Sequence, residues 1–140
     1  MLKVLLVEDD INDAIFIKDC ITKFIRPADL VHVDNGAEAL EYLNHVDSYE
    51  NKRVSENLKL ILLDLKTPKL NGLEVLEKIK TDEFTKNIPV VVITSSKEKK
   101  DQINSYSLGA NSFIIKPIEY TQFERTLTAV AEYWLKTNQS

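Results

Sequence analysis

Apolar residues recur along this chain in short continuous runs, separated by stretches with a helical period. Leu60-Ile61-Leu62-Leu63 is the strongest run. Large apolar residues in succession, too few to span a membrane, read as a strand buried on both faces. It ends in Asp64, and Pro68 with Asn71-Gly72 then breaks the chain ahead of a helix. An earlier strand at Lys3–Val7 leads into Glu8-Asp9-Asp10, and a weaker one follows at Leu30–Val33. Residues 90–93, opened by Pro89, predict a fourth strand ending at Thr94; residues 113–115 predict a fifth, ending at Lys116-Pro117.

Helices alternate with these strands. Asn12 is placed to cap a helix whose stripe is Ala14, Ile17, Ile21 and Phe24, and Pro27 stops it. Asn35-Gly36 opens a short helix carrying Ala39, Leu40 and Leu43. Leu73, Leu76 and Ile79 mark a third; Ile103, Tyr106 and Leu108 mark a fourth, closed by Gly109. Phe123, Leu127, Val130 and Trp134 mark the last. Residues 45–57 are polar and mixed in charge and read as a surface loop. Strand–helix alternation predicts an α/β fold, a parallel sheet covered by helices on both faces with right-handed crossovers. No repeat, linker or low-complexity tract divides residues 1–140, which read as one domain without an output region.

Composition narrows the function classes. The 140 residues are 44% apolar and 29% charged, as expected of one soluble core. The net charge of −4 with no basic run gives no nucleic-acid footprint. The apolar start at residues 4–7 is too short for a signal peptide or a membrane span. One cysteine, Cys20, excludes an internal disulfide and fits a reducing cytoplasm; beside Phe16 and Phe24 it reads as packing. Three glycines without a G-x-G-x-x-G or G-K-[ST] run give no phosphate-binding loop. His32, on an outer strand, and His45, in the loop, read as structural or solvated.

The chemistry collects at the carboxyl ends of the strands, where ligands meet open α/β sheets. Glu8 and Asp9 follow the first strand, Asp64 the third, Thr94 the fourth and Lys116 the fifth. Alone, each has a plain reading: helix-start acids, a turn aspartate, a strand threonine, a solvated lysine. Together, with the first and third strands about 4.8 Å apart, they converge. Crowded carboxylates resist joint ionisation unless a cation joins them. A hard divalent ion that favours oxygen and keeps its waters answers that need, which points to Mg²⁺. With Lys116 opposite, a phosphoryl group meets positive charge on two sides, Thr94 donates to it, and Asp64 becomes an aspartate nucleophile.

Several motifs occur together: Val7-Glu8-Asp9-Asp10, Leu62-Leu63-Asp64 with Pro68 and Asn71-Gly72, Pro89 through Thr94-Ser95, Gly109-Ala110, and Phe113 with Lys116-Pro117. In these the chain resembles, over essentially its whole length, the receiver domain of two-component response regulators. The resemblance implies a flavodoxin-like (βα)5 three-layer sandwich with strand order 2-1-3-4-5, the order for which a receiver is a standard example. It implies that a sensor histidine kinase phosphorylates Asp64. Glu8, Asp9, Asp64 and the backbone carbonyl of Lys66 would arrange Mg²⁺, and Thr94 and Lys116 would hold the phosphoryl group. Thr94 and Phe113 would form the switch, with Phe113 replacing the more familiar tyrosine. A cis peptide is implied at Lys116-Pro117. The polar loop before the central strand, Ile93-Thr94-Ser95-Ser96, Ser105-Tyr106 and Tyr133-Trp134-Leu135 make the chain most similar to stand-alone receivers partnering phytochrome-type sensor kinases.

Output would then pass through protein contact, to a downstream protein the sequence does not identify. Tyr106, Tyr120 and Tyr133 are candidate contacts of a homodimer through the fourth helix, last strand and fifth helix. Two other aspartate or flavodoxin-like readings fit less well. A haloacid-dehalogenase-like phosphatase wants a second Asp two residues beyond the nucleophile, where Lys66 stands. An FMN binder wants a hydroxyl-rich loop after the first strand, where acids stand.

Overall fold

A computed structural model of the chain describes residues 3–47 and 52–138. In chain order the elements are β1 (Lys3–Val7), α1 (Ile11–Ile21), β2 (Leu30–Val33), α2 (Gly36–Asn44), β3 (Val46–Asp47), β4 (Lys52–Arg53), β5 (Leu58–Leu63), α3 (Gly72–Thr81), β6 (Val90–Thr94), α4 (Lys99–Ser107), β7 (Ser112–Ile115) and α5 (Tyr120–Ala131). The main sheet runs β2-β1-β5-β6-β7 with every neighbouring pair parallel. Counting its five strands alone gives the flavodoxin-like order 2-1-3-4-5.

β5 sits at the centre because its side chains serve two cores at once. Successive residues point to opposite faces of a strand. Leu60 and Leu62 therefore pack with Val4, Leu6, Ile17, Ile21, Phe123 and Leu127 on the face covered by α1 and α5. Ile61 and Leu63 pack with Leu5, Val7, Val75, Leu76 and Ile79 on the face covered by α2 and α3. All four β5 residues are fully buried, each contributing roughly 1.5–3 kcal/mol of apolar transfer.

The helix borders depart from the sequence expectation in ways that local chemistry explains. Asp10, not Asn12, caps α1, its carboxylate accepting from the Asp13 N–H at 3.0 Å. α1 ends at Ile21, before Pro27, which instead opens a 3₁₀ turn, Pro27–Asp29, where a proline is tolerated at the first position. The loop at 45–57 is more ordered than its polarity suggests. β3 and β4 pair antiparallel, and a 3₁₀ turn, Val54–Asn57, buries Ser55. Residues 48–51 of that loop lie outside the described residues. Arg53 pins the segment, 4.1 Å over the Phe84 ring and 3.6 Å from Asp82.

α4 turns over relative to its expected stripe. Ile103 and Tyr106 are about half exposed, and Ser105 is the buried residue of the helix. The helix closes through Gly109 at φ 105°, where the Ala110 N–H reaches the Ser105 carbonyl at 2.9 Å; only glycine takes that backbone without strain. α5 buries Phe123, Leu127 and Ala131 and continues into a π-helical turn, Glu132–Thr137, closed by Asn138 N–H to Tyr133 carbonyl at 2.7 Å. The wider turn lets Trp134 and Leu135 both reach the core. No described peptide bond is cis, so Lys116-Pro117 is trans; the small cis–trans difference at X-Pro leaves the isomer to its surroundings.

Candidate phosphoryl and metal site

Hydrogen bonds that run one residue past the strands deliver the site. The Glu8 N–H donates to the Val33 carbonyl at 3.1 Å, the Asp64 N–H to Val7 at 3.0 Å, and the Lys116 N–H to Thr94 at 2.8 Å. The backbone of each charged residue is thus fixed by the sheet, and the side chains meet over its carboxyl edge. Behind Asp64, Gly72 packs so closely on the Leu65 backbone and the Asp64 carbonyl, 2.8 Å from where a Cβ would lie, that no side chain fits there.

Glu8, Asp9 and Asp64 each place a carboxylate oxygen within 4.8 Å of the other two. Glu8 and Asp64 are buried, while Asp9 stands exposed at the mouth. Lys116 Nζ lies 2.7 Å from Glu8 Oε1, 2.8 Å from Asp13 Oδ2 and 3.0 Å from Asp64 Oδ2. Asp64 Oδ1 accepts the Lys66 N–H at 3.0 Å, and Glu8 Oε2 accepts the Asp10 N–H at 3.2 Å. His32 braces the loop from β2, its Nε2 2.8 Å from the Glu8 carbonyl.

The electrostatics are those of a site short of positive charge. Burial and then the Asp64 charge push the Glu8 carboxyl up to about 8, against the pull of Lys116. Burial would lower the Lys116 ammonium; bonds to Asp13 and Glu8 and the Asp64 charge outweigh it and hold it above the ordinary lysine value. An all-oxygen, acid-rich donor set of this kind fits a hard divalent cation.

The residues expected from the sequence fall as follows. Glu8, Asp9, Asp64 and Lys116 come together. Thr94 is fully buried at the end of β6, its Oγ1 accepting the Ser96 N–H at 3.2 Å. Lys66 adjoins Asp64 through its N–H. Phe113 is half-buried on the edge strand, its N–H donating to the Tyr106 hydroxyl at 3.1 Å. Tyr106, Tyr120 and Tyr133 are all exposed, and the Tyr120 ring also lies 4.8 Å from that of Phe16 on α1. Asp13 went unnoticed in the sequence. Its signal was position: an acid in the first turn of α1, one residue ahead of the buried Ala14.

Comparison with known proteins gives a consistent picture. The family model described as the response regulator receiver domain matches residues 4–128. A "Probable methanogenesis regulatory protein FilR2" from Methanothrix harundinacea is 35% identical over 98% of this chain and 86% of its own length. The response regulator Rcp1 from Synechocystis is 34% identical over 96% of this chain and 89% of its own length. Its Mn²⁺-bound crystal structure superposes with a TM-score of 0.87 over 99% of this chain and 98% of that one, at 32% identity. The phosphorylated cyanobacterial phytochrome response regulator RcpA superposes with a TM-score of 0.88, at 37% identity over 99% of this chain and 96% of that one.

Proposed function

The chain belongs to the response regulator receiver family of two-component signalling, and on that footing we propose that Asp64 is its phosphoacceptor. The observation that carries this reading is the Lys116 ammonium 3.0 Å from Asp64 Oδ2, beside two further carboxylates at one sheet edge. The donor would be a phosphohistidine on a sensor kinase. The Asp64 carboxylate attacks phosphorus, the P–O bond forms as the P–N bond breaks, and the departing imidazole nitrogen keeps the electron pair. Lys116 offers its N–H groups to the incoming phosphoryl oxygens. Thr94, which now accepts from Ser96, has its hydroxyl hydrogen left to donate. Glu8, Asp9, Asp64 and the Lys66 carbonyl would hold Mg²⁺, which when bound offsets charge on the phosphoryl oxygens. The all-oxygen donor set and Mn²⁺-bound Rcp1 both favour a divalent ion here.

A protein donor suits the mouth of the site. Ile11 and Ile15 on α1 and Ile118 after β7 stand largely exposed at that edge, Ile118 at 92%, an apolar rim fit to receive a partner. The similarity to RcpA and Rcp1 supports a phytochrome-type kinase, while FilR2, at comparable identity, is named for methanogenesis regulation and supports no particular kinase. A signalling switch rather than an enzyme, acting in the cytoplasm, follows from the same reading. No helix among the described residues is long and apolar enough to cross a membrane.

The test is intact mass after incubation with acetyl phosphate and Mg²⁺. One phosphoryl group is expected, absent when EDTA is present during the incubation and absent from Asp64→Asn. Equal labelling of Asp64→Asn would overturn the assignment. A phosphotransfer panel of purified kinases then identifies the donor.

A further inference from the structure

We infer that Asp13 is the positioning residue for Lys116, the anchor that keeps the ammonium at the site once its other partners are engaged. The inference rests on the phosphoacceptor reading above. An ammonium has three N–H donors and no acceptor. In Lys116, 11% exposed, the three face Glu8, Asp13 and Asp64. Glu8 and Asp64 belong to the acidic trio that fits a cation, and Asp64 is also the group that becomes an acyl phosphate. Asp13 alone belongs to neither set. When the cation and the phosphoryl group draw on Glu8 and Asp64, Asp13 is the partner that stays.

Geometry suits that role. Asp13 projects from the first turn of α1, which Asp10 caps, so its backbone is fixed independently of the phosphoryl site. Its contact with Lys116 joins residues 103 apart in sequence. The lysine stem is flexible, and anchoring its head from α1 removes much of that freedom before a phosphoryl group arrives. The opposing effect is repulsion between the Asp13 carboxylate and a phosphoryl group. Asp13 is paired with Lys116 and partly open to solvent, so screening weakens repulsion while the direct contact remains.

The two effects predict opposite signs for beryllofluoride, a phosphoryl mimic, titrated calorimetrically into the full chain at saturating Mg²⁺. Anchoring predicts that Asp13→Ala weakens binding about tenfold, the size of one charge-assisted hydrogen bond. Asp13→Asn falls between, and Asp13→Glu recovers most of the loss. In a Lys116→Ala background, Asp13→Ala should change nothing, because the anchor then has nothing to hold. Tighter or unchanged binding in Asp13→Ala, or the same loss without Lys116, overturns the inference. A second readout needs no phosphoryl chemistry: at saturating Mg²⁺, where the cation draws on Glu8 and Asp64, acetic anhydride labelling of Lys116, mapped by mass spectrometry, should rise several-fold in Asp13→Ala. Unchanged labelling overturns the inference as well. If wild type takes no label from acetyl phosphate while Lys116 still becomes reactive, the phosphoacceptor reading fails and the anchor stands.

Discussion

Glu8 and Lys116 meet at 2.7 Å, Oε1 to Nζ, although one follows the first strand and the other the last. The contact joins a proposed cation ligand to a cation already present. A divalent ion held there would compete with Lys116 for the same carboxylates.

The first prediction follows from that competition. Asp9→Ala removes an exposed carboxylate from the acidic trio and should weaken Mg²⁺ affinity by about tenfold, while leaving the Lys116 contacts in place. Lys116→Ala frees Glu8 and Asp64 and should leave affinity unchanged or raise it by about threefold. Calorimetric Mg²⁺ titration of both variants checks this. Equal losses would mean that Lys116 does not compete for the site.

A second prediction concerns α4, whose one buried residue is a serine. The Ser105 side chain is fully buried, and its Oγ has no hydrogen-bond partner among the described residues. A buried hydroxyl without a partner costs about 1–3 kcal/mol, and alanine also forms helix better than serine. Ser105→Ala should stabilise the protein by about 1 kcal/mol, raising Tm by about 3 °C for a chain of this size. Calorimetric unfolding decides it, and a lower Tm would show that the hydroxyl is satisfied in solution.

How much of this was legible in the sequence depends on which force decided each feature. The sheet and its central strand were readable because Leu60 to Leu63 are apolar on both faces, a pattern few other elements need. Asp64, Glu8, Asp9 and Lys116 were readable as strand-end residues, since strand ends fix position without knowledge of packing. Borders were not: Asp10 and Asn12 are both competent caps, and only the turn geometry chooses Asp10. The orientation of α4 was hidden because Ile103 and Tyr106 carry the helix's apolar signal yet face outward, while the inward position is the small Ser105. Asp13 was hidden because its role depends on Lys116, 103 residues away.

The third prediction is at the opposite end of the sheet. Lys80 Nζ donates to the carbonyls of Lys86 (3.2 Å) and Ile88 (2.8 Å) and to Asn111 Oδ1 (3.1 Å), all neutral acceptors. Lys80→Met takes the donor from the Lys86 and Ile88 carbonyls, while Asn111 Oδ1 keeps the Val90 N–H at 2.9 Å, and should cost about 2 kcal/mol. The effect has a pH signature. Burial lowers the native Lys80 pKa below its ordinary value of 10.5, so the folded chain sheds this proton before the unfolded chain does. Just below pH 10.5 the unfolded state then holds more protons, and stability from this group rises with pH. The gap between wild type and Lys80→Met should widen from pH 7 to pH 10 in urea unfolding. A gap that narrows would reverse the sign of the shift.

The last prediction concerns output. Ile103 and Tyr106 on α4, Ile115 on the edge strand β7 and Tyr133 beyond α5 are each between 41% and 54% exposed, more apolar surface than a free edge needs. Tyr120, 57% exposed, stays a candidate contact, although its ring also rests 4.8 Å from Phe16 of α1. The bond from the Phe113 backbone N–H to the Tyr106 hydroxyl ties this surface to the β7 backbone at the residue proposed as the switch. A shift of the β7 backbone at Phe113 on phosphorylation would release or re-aim Tyr106, whereas rotation of the Phe113 ring alone would leave this bond in place. A second copy of this chain is the expected partner, paired about a two-fold axis so that each face meets its own equivalent. Phosphorylation can tighten the pair only as far as it favours one switch state over the other. Sedimentation velocity, with and without beryllofluoride, should show a dimer strengthened by the mimic in wild type and lost in Tyr133→Arg and Ile103→Arg. Wild type that stays monomeric at high concentration in both states rules out the dimer and leaves the face to a different protein.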